Sequence, residues 1–220
     1  MTEVAVNRLH WPVTVLGPGR RVGVWFQGCS IGCPGCVSRD TWPSPGPSQY
    51  FSVGDLIDRI DALTNDGVGG PIDGVTVTGG EPFEQAEALE ELLPALREWL
   101  DSRGAGSADL LVYTGFDAAE ARRRGPGAFA QADAVIAGPF RVAEPGTAWW
   151  GSGNQRLVVR DDRIADRYQA GLQSARAEVQ VSVEAGQVFI IGIPPRRTLA
   201  EVESRLAGSG IRLESVSWRP

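Results

Sequence analysis

Cys29-Ser30-Ile31-Gly32-Cys33-Pro34-Gly35-Cys36 contains every cysteine of the 220-residue chain, at C-x3-C-x2-C spacing. An odd number of thiols leaves one over, and cysteines this close in sequence meet disulfide geometry poorly. The stretch therefore predicts a metal-ligand loop. A structural zinc site is normally closed by four protein ligands. Here the fourth would have to be the single histidine, His10, or a carboxylate. An iron–sulfur cubane is usually held by four cysteine thiolates. Three thiolates leave one iron open to a substrate or cofactor, which is a catalytic arrangement rather than a purely electron-carrying one. Three buried thiols without a metal are the remaining reading.

Outward from the loop, Arg21-Val22-Gly23-Val24-Trp25-Phe26-Gln27 reads as a buried strand, so the cysteines begin where a strand ends. In barrel-like α/β folds, sites are built at the carboxyl ends of strands. Before it, Trp11–Leu16 reads as a short lead-in and Gly17-Pro18-Gly19 as a turn. After the loop, the prolines of 43–49 rule out regular structure. Ser52 is a plausible N-cap for a helix over 53–64, with Val53, Leu56, Ile57, Ile60 and Leu63 on one face. A strand over 73–78 ends at Gly79-Gly80. A helix over 84–102 follows, which Pro94 should bend. Strands at 109–114 and 132–137 flank a short helix at 117–124. Strands alternating with helices predict an α/β fold with a parallel sheet, curled by right-handed crossovers into a partial, open barrel.

Residues 157–159 form one more strand, and a small α+β extension follows. It reads as a helix over 164–172, a hairpin of 178–183 and 187–192 across Ala185-Gly186, and an edge strand over 211–216. Between hairpin and edge strand, Thr198–Glu201 is a capping box opening a helix to Ala207. The expected division is a core over 1–160 and a ββαβ-like extension over 161–220. The extension holds no cysteine or histidine. It is expected to cap the sheet edge or to dock a partner.

Composition narrows the function classes. The net charge is −6 and the only basic cluster is Arg122-Arg123-Arg124. Nucleic-acid binding, dominated by phosphate neutralisation, is not expected. No apolar run reaches the roughly 18 residues of a membrane span. The N-terminus lacks a basic start and an apolar h-region, so no export signal is expected. Three thiols kept reduced point to the cytoplasm.

The cysteine spacing resembles the radical S-adenosylmethionine (SAM) superfamily. Gly79-Gly80-Glu81-Pro82, after Val75-Thr76-Val77-Thr78, resembles the GGEP segment that follows that family's second strand. The likeness narrows with Gly17-Pro18-Gly19, Thr41-Trp42, Tyr113-Thr114-Gly115-Phe116 and Gly151-Ser152-Gly153-Asn154-Gln155-Arg156, in that order. Together these resemble activating proteins of the anaerobic (class III) ribonucleotide reductase, a branch of the glycyl-radical-enzyme activases. The resemblance implies a [4Fe–4S] cluster on Cys29, Cys33 and Cys36. It implies SAM against Gly35, Cys36 and Val37, with its amino group held by Gly79, Gly80 and Glu81 and with Pro82 completing the segment. It implies a reduced flavodoxin or ferredoxin as electron donor and a glycyl-radical enzyme as partner. Val37 departs from the Tyr or Phe often found there in that branch. A radical SAM enzyme acting directly on a small molecule or peptide is the alternative.

Overall fold

The computed structural model describes residues 2–65, 70–144, 146, 149–174, 179–184, 187–193, 196–211, 213 and 216. The first strand is long, β1 (Glu3–Val13), where the sequence suggested only a lead-in from Trp11. It pairs antiparallel with β2 (Arg21–Phe26), and two register irregularities, at Val6/Arg8 and His10/Val13, break the alternation that would have betrayed it. A short strand, β3 (Tyr50–Ser52), pairs on its other side and leads into α1 (Val53–Thr64). Ser52 is the N-cap, its side chain accepting from Asp55 N–H, as the sequence indicated.

Next come β4 (Gly74–Gly79), a 3-10 turn at Pro82–Gln85, and α2 (Ala86–Ser102), which runs on through Pro94. After them come β5 (Asp109–Thr114), α3 (Ala118–Arg124), α4 (Pro126–Gln131) and β6 (Ala134–Ala137). The short α4 was not legible in the sequence. β7 (Arg156–Val159) returns antiparallel to β6. The seven-stranded sheet has the order β3-β1-β2-β4-β5-β6-β7, and β2, β4, β5 and β6 are its parallel centre. The fold is thus α/β with the expected parallel run, flanked by antiparallel strands on both sides.

One face of the sheet carries α1, α2 and α4 over a core that includes Val24, Phe26, Leu56, Leu92, Leu96 and Val112. Residues after β7 cover the other face. These are α5 (Asp162–Ser174), the hairpin β8 (Val179–Glu184) and β9 (Gln187–Gly192), and α6 (Arg196–Gly208). Ile164, Tyr168 and Ile191 are buried there against Leu111, Tyr113 and Ile136. Helix α6 begins at Arg196, so Thr198 lies inside it and is not its cap. The hairpin turn at Ala185-Gly186 and half of the expected strand over 211–216 lie outside the described residues.

A polar knot ties this layer to the amino ends of the strands. The fully buried Arg21 guanidinium donates to Asp109 Oδ1 (3.0 Å) and Oδ2 (2.9 Å), to Thr76 Oγ1, and to the Pro18 and Val75 carbonyls. Tyr168 and Arg167 on α5 reach the same carboxylate. Gly74 makes room for it, since a Cβ there would stand 2.6 Å from the Arg21 nitrogens.

Candidate functional site

The parallel strands end side by side, with Phe26 opposite Gly79 and Thr114 opposite Ala137. All three cysteines lie on the loop that leaves β2. Its first turn is fastened by backbone bonds: Gly28 N–H donates to Thr41 O (2.8 Å), Cys29 N–H to Trp42 O (3.2 Å), and Glu81 N–H to Gly28 O (2.8 Å). Gln27 adds a side-chain staple, donating to Pro43 O at 2.7 Å and accepting from Asn7 (2.7 Å) and Gln49 (2.9 Å). Gln85 donates to the Gln27 carbonyl (2.9 Å), and Glu84 accepts from the Ser30 backbone and hydroxyl. With their backbone engaged, the thiols are left to face the space at the strand ends.

Cys29, Cys33 and Cys36 are free thiols that line one cavity of about 120 Å3, together with Gly79, Gly80 and Glu81. Burial pushes the Cys29 thiol up to about 11 and moves Cys36 upward too. Coordination to a metal deprotonates a thiol outright and so would offset that burial. Among the described residues, no three His, Cys, Asp or Glu side chains gather tightly enough to hold a single ion. Thiolates of a cubane sit on separate irons and stand farther apart, so a donor set of three cysteines around one cavity fits a [4Fe–4S] cluster. His10 is remote from this chemistry. It pairs with Gly23 and is buried edge-on to Trp25 (5.3 Å) and Phe189 (4.7 Å).

Strand β4 closes against the cysteine loop at a very short range. Gly79 has φ +100, and a Cβ on Gly80 would stand 2.2 Å from the Gly28 carbonyl oxygen. No side chain can occupy that gap. Glu81 is 1% exposed, and its carboxylate accepts from Phe83 N–H (2.9 Å), Thr114 Oγ1 (2.7 Å) and Gly115 N–H (2.7 Å). It clasps the ends of β4 and β5 together. Desolvation pushes its carboxyl up to about 7, against the pull of those three donors. Pro82 is buried in the 3-10 turn and lines neither cavity described here.

A second cavity, about 390 Å3, adjoins the first and shares Cys36, Thr78, Gly79, Tyr113, Phe140 and Gln155 with it. Gly35 and Val37 also line it. Its polar fittings are anchored: Tyr113 donates to Trp149 O (2.7 Å), and the Gln155 amide bridges Gly138 O (2.9 Å) and Ser152 N–H (3.2 Å). The structure thus gathers the expected residues of both motifs, apart from Pro82, into two connected spaces. Sequence reasoning missed Gln27, Glu84 and Gln85 as fasteners of the loop. Nothing local marks them, because their partners lie in other elements.

A family comparison agrees with this geometry. A family model described as a 4Fe-4S single cluster domain matches residues 15–158. Pyruvate formate-lyase-activating enzymes of Staphylococcus aureus, from strains USA300 and NCTC 8325, are 40% identical over 87 residues. That match spans 39% of this chain and about a third (34%) of the length of those relatives. Among solved structures, QueE from Escherichia coli aligns with a TM-score of 0.40 and 20% identity, over 52% of this chain and 54% of that one.

Proposed function

Because the chain belongs to the family of 4Fe-4S single cluster domains, we propose that Cys29, Cys33 and Cys36 hold a [4Fe–4S] cluster that cleaves SAM reductively. The target is a glycyl-radical enzyme. The finer reading is the class III ribonucleotide reductase, on the strength of the Gly17-Pro18-Gly19 and Gly151–Arg156 segments. The observation that carries the proposal is the shared cavity: three free thiols and the Gly79-Gly80 strand end face one space at the carboxyl ends of parallel strands.

A cluster held by Cys29, Cys33 and Cys36 would supply one electron for the reductive cleavage of SAM, chemistry able to take a hydrogen atom from a glycine. The protein's part is binding, orientation and exclusion of water. Backbone groups at Gly79 and Gly80 receive the methionyl end of SAM, where no Cβ can intrude. Glu81, which also lines the smaller cavity, holds that strand end in place through Thr114 and Gly115. Gly35 and Val37 border the larger cavity, on the side that receives the adenosyl group. A reduced flavodoxin or ferredoxin serves as electron donor in the cytoplasm, where the three thiols stay reduced.

The test is anaerobic. Reconstituted protein with SAM and dithionite should yield 5′-deoxyadenosine. With a purified class III ribonucleotide reductase it should also give a carbon-centred EPR doublet on the reductase. Deoxyadenosine without a protein radical would remove the activase assignment. Variants Cys29→Ala, Cys33→Ala and Cys36→Ala matching wild type in iron content would remove the cluster.

A further inference from the structure

The family match ends at residue 158, yet Ile190, Ile191, Ile193 and Leu199 line the larger cavity beside Cys36 and Gly79. The wall facing the cysteine loop is therefore built by this chain's own C-terminal layer. It is firmly seated. Gln180 on β8 donates to Pro12 O (2.6 Å) and accepts from Thr14 N–H (3.1 Å), fixing the hairpin on β1. Phe189 packs edge-on against His10, and Ile191 is buried under the sheet. Ile193 reaches Gly151, where an added Cβ would stand 3.0 Å from Ile193 Cγ2 and 2.7 Å from the Phe140 ring. Phe140, Gly151 and Ile193 thus meet at one place.

The lining also states what the cavity accepts. Trp25, Phe140 and Trp150 line it together with the isoleucines. Its only charged lining residues among those described are Arg8 and Glu144, and each is paired elsewhere, with Asp40 and Arg141. Among the described lining residues no unpaired charge is left to meet a charged ligand, and burying an unpaired ion is costly. A volume of 390 Å3 sits near the lower end of small-molecule sites, which run from about 300 to 1,000 Å3.

We propose that residues 190–193 and Leu199 form the specificity wall of the reaction chamber, admitting a compact, uncharged glycyl backbone segment and excluding charged or bulky ones. The wall is a statement about the geometry; the glycyl occupant rests on the activase reading above.

The two parts can be tested separately with full-length, cluster-loaded protein. Ile193→Cys introduces one thiol that is not a cluster ligand. Val183→Cys does the same on the outward side of the hairpin, where Val183 is 68% exposed. Alkylation by iodoacetamide is timed with and without S-adenosylhomocysteine. The expected result is slowing by fivefold or more at position 193 and none at 183. Equal rates at position 193 with and without S-adenosylhomocysteine overturn the wall. Ac-Ala-Gly-Ala-NH2 and Ac-Glu-Gly-Glu-NH2 are then added at saturating S-adenosylhomocysteine. Further protection by the uncharged peptide alone supports the glycyl occupant. Equal protection by the charged peptide overturns the exclusion of charge. Protection by neither peptide overturns the glycyl occupant and leaves the wall standing.

Discussion

Tyr168 on α5 donates a 2.5 Å hydrogen bond to Asp109 Oδ2 at the start of β5, deep beneath the sheet. Through this pair the C-terminal layer is joined to the strands that carry the site. Tyr168 is 0% exposed and stacks edge-on against Trp149 at 5.8 Å. Tyr168→Phe keeps the ring and removes one of two donors to Asp109 Oδ2, leaving Arg21, so losing this bond to a charged acceptor should cost about 1–3 kcal/mol in urea denaturation. Removing residues 161–220 strips Ile164, Tyr168 and Ile191 from the second core. The truncated chain should aggregate or unfold without cooperativity. A soluble truncation with a wild-type unfolding midpoint would show that this layer contributes nothing.

Arg21 and Asp109 form a pair at 0% and 1% exposure. A buried pair is not itself strongly stabilising, but breaking one is expensive. Arg21→Met leaves Asp109 with only the α5 donors and should lose about 3–5 kcal/mol. The double variant Arg21→Met/Asp109→Leu should recover much of that loss. Failure to recover would assign the cost to Arg21's bonds with Pro18, Val75 and Thr76 instead.

Glu81 gives the stability a pH dependence. Its folded carboxyl sits at about 7, above its ordinary 4.5. A raised folded value means the native state binds more protons than the unfolded chain between those limits. Its contribution is full below pH 4.5 and is lost as pH rises through 7, a change on the order of 3 kcal/mol. Glu81→Gln should flatten that segment of the stability profile. It should also lower stability at acid pH by about 1–3 kcal/mol, because its amide must turn a donor toward Phe83 N–H, Thr114 Oγ1 or Gly115 N–H. Parallel profiles for the two proteins from pH 4 to 8 would argue against the shift.

Gly80→Ala should separate β4 from the cysteine loop, because its Cβ would meet the Gly28 carbonyl at 2.2 Å. The expected outcome is reduced iron per chain after reconstitution and at least a tenfold weaker affinity for S-adenosylhomocysteine by calorimetry. Gly46→Ala, whose Cβ meets nothing nearer than 3.8 Å, should match wild type in both. Equal values for the two variants would mean that the close approach is not needed.

The central parallel strands, α1 and the cysteine loop were legible because each is marked locally. β2, β4 and β5 are apolar runs bounded by turns, Ser52 caps α1, and the thiols share one stretch. β1 was not, because its pairing irregularities interrupt period-two alternation and Pro12 masks its end. The Thr198 capping box misled because a favourable side-chain pattern does not stop a helix from starting two residues earlier, at Arg196. The knot around Asp109 and the isoleucine wall were beyond reach for another reason. Each is made by residues far apart in sequence, brought together only by the packing of α5 and the hairpin across the sheet.

The seating of β8 on β1 also has a consequence for biosynthesis. Pro12 and Thr14 leave the ribosome long before Gln180, so the cysteine loop emerges while its isoleucine wall is still unmade. Until α5 and the hairpin are made, the chain lacks Ile164, Tyr168 and Ile191 and one face of its sheet has no cover. The last quarter of the protein supplies the isoleucines that line the larger cavity, so that space exists only once translation is nearly over.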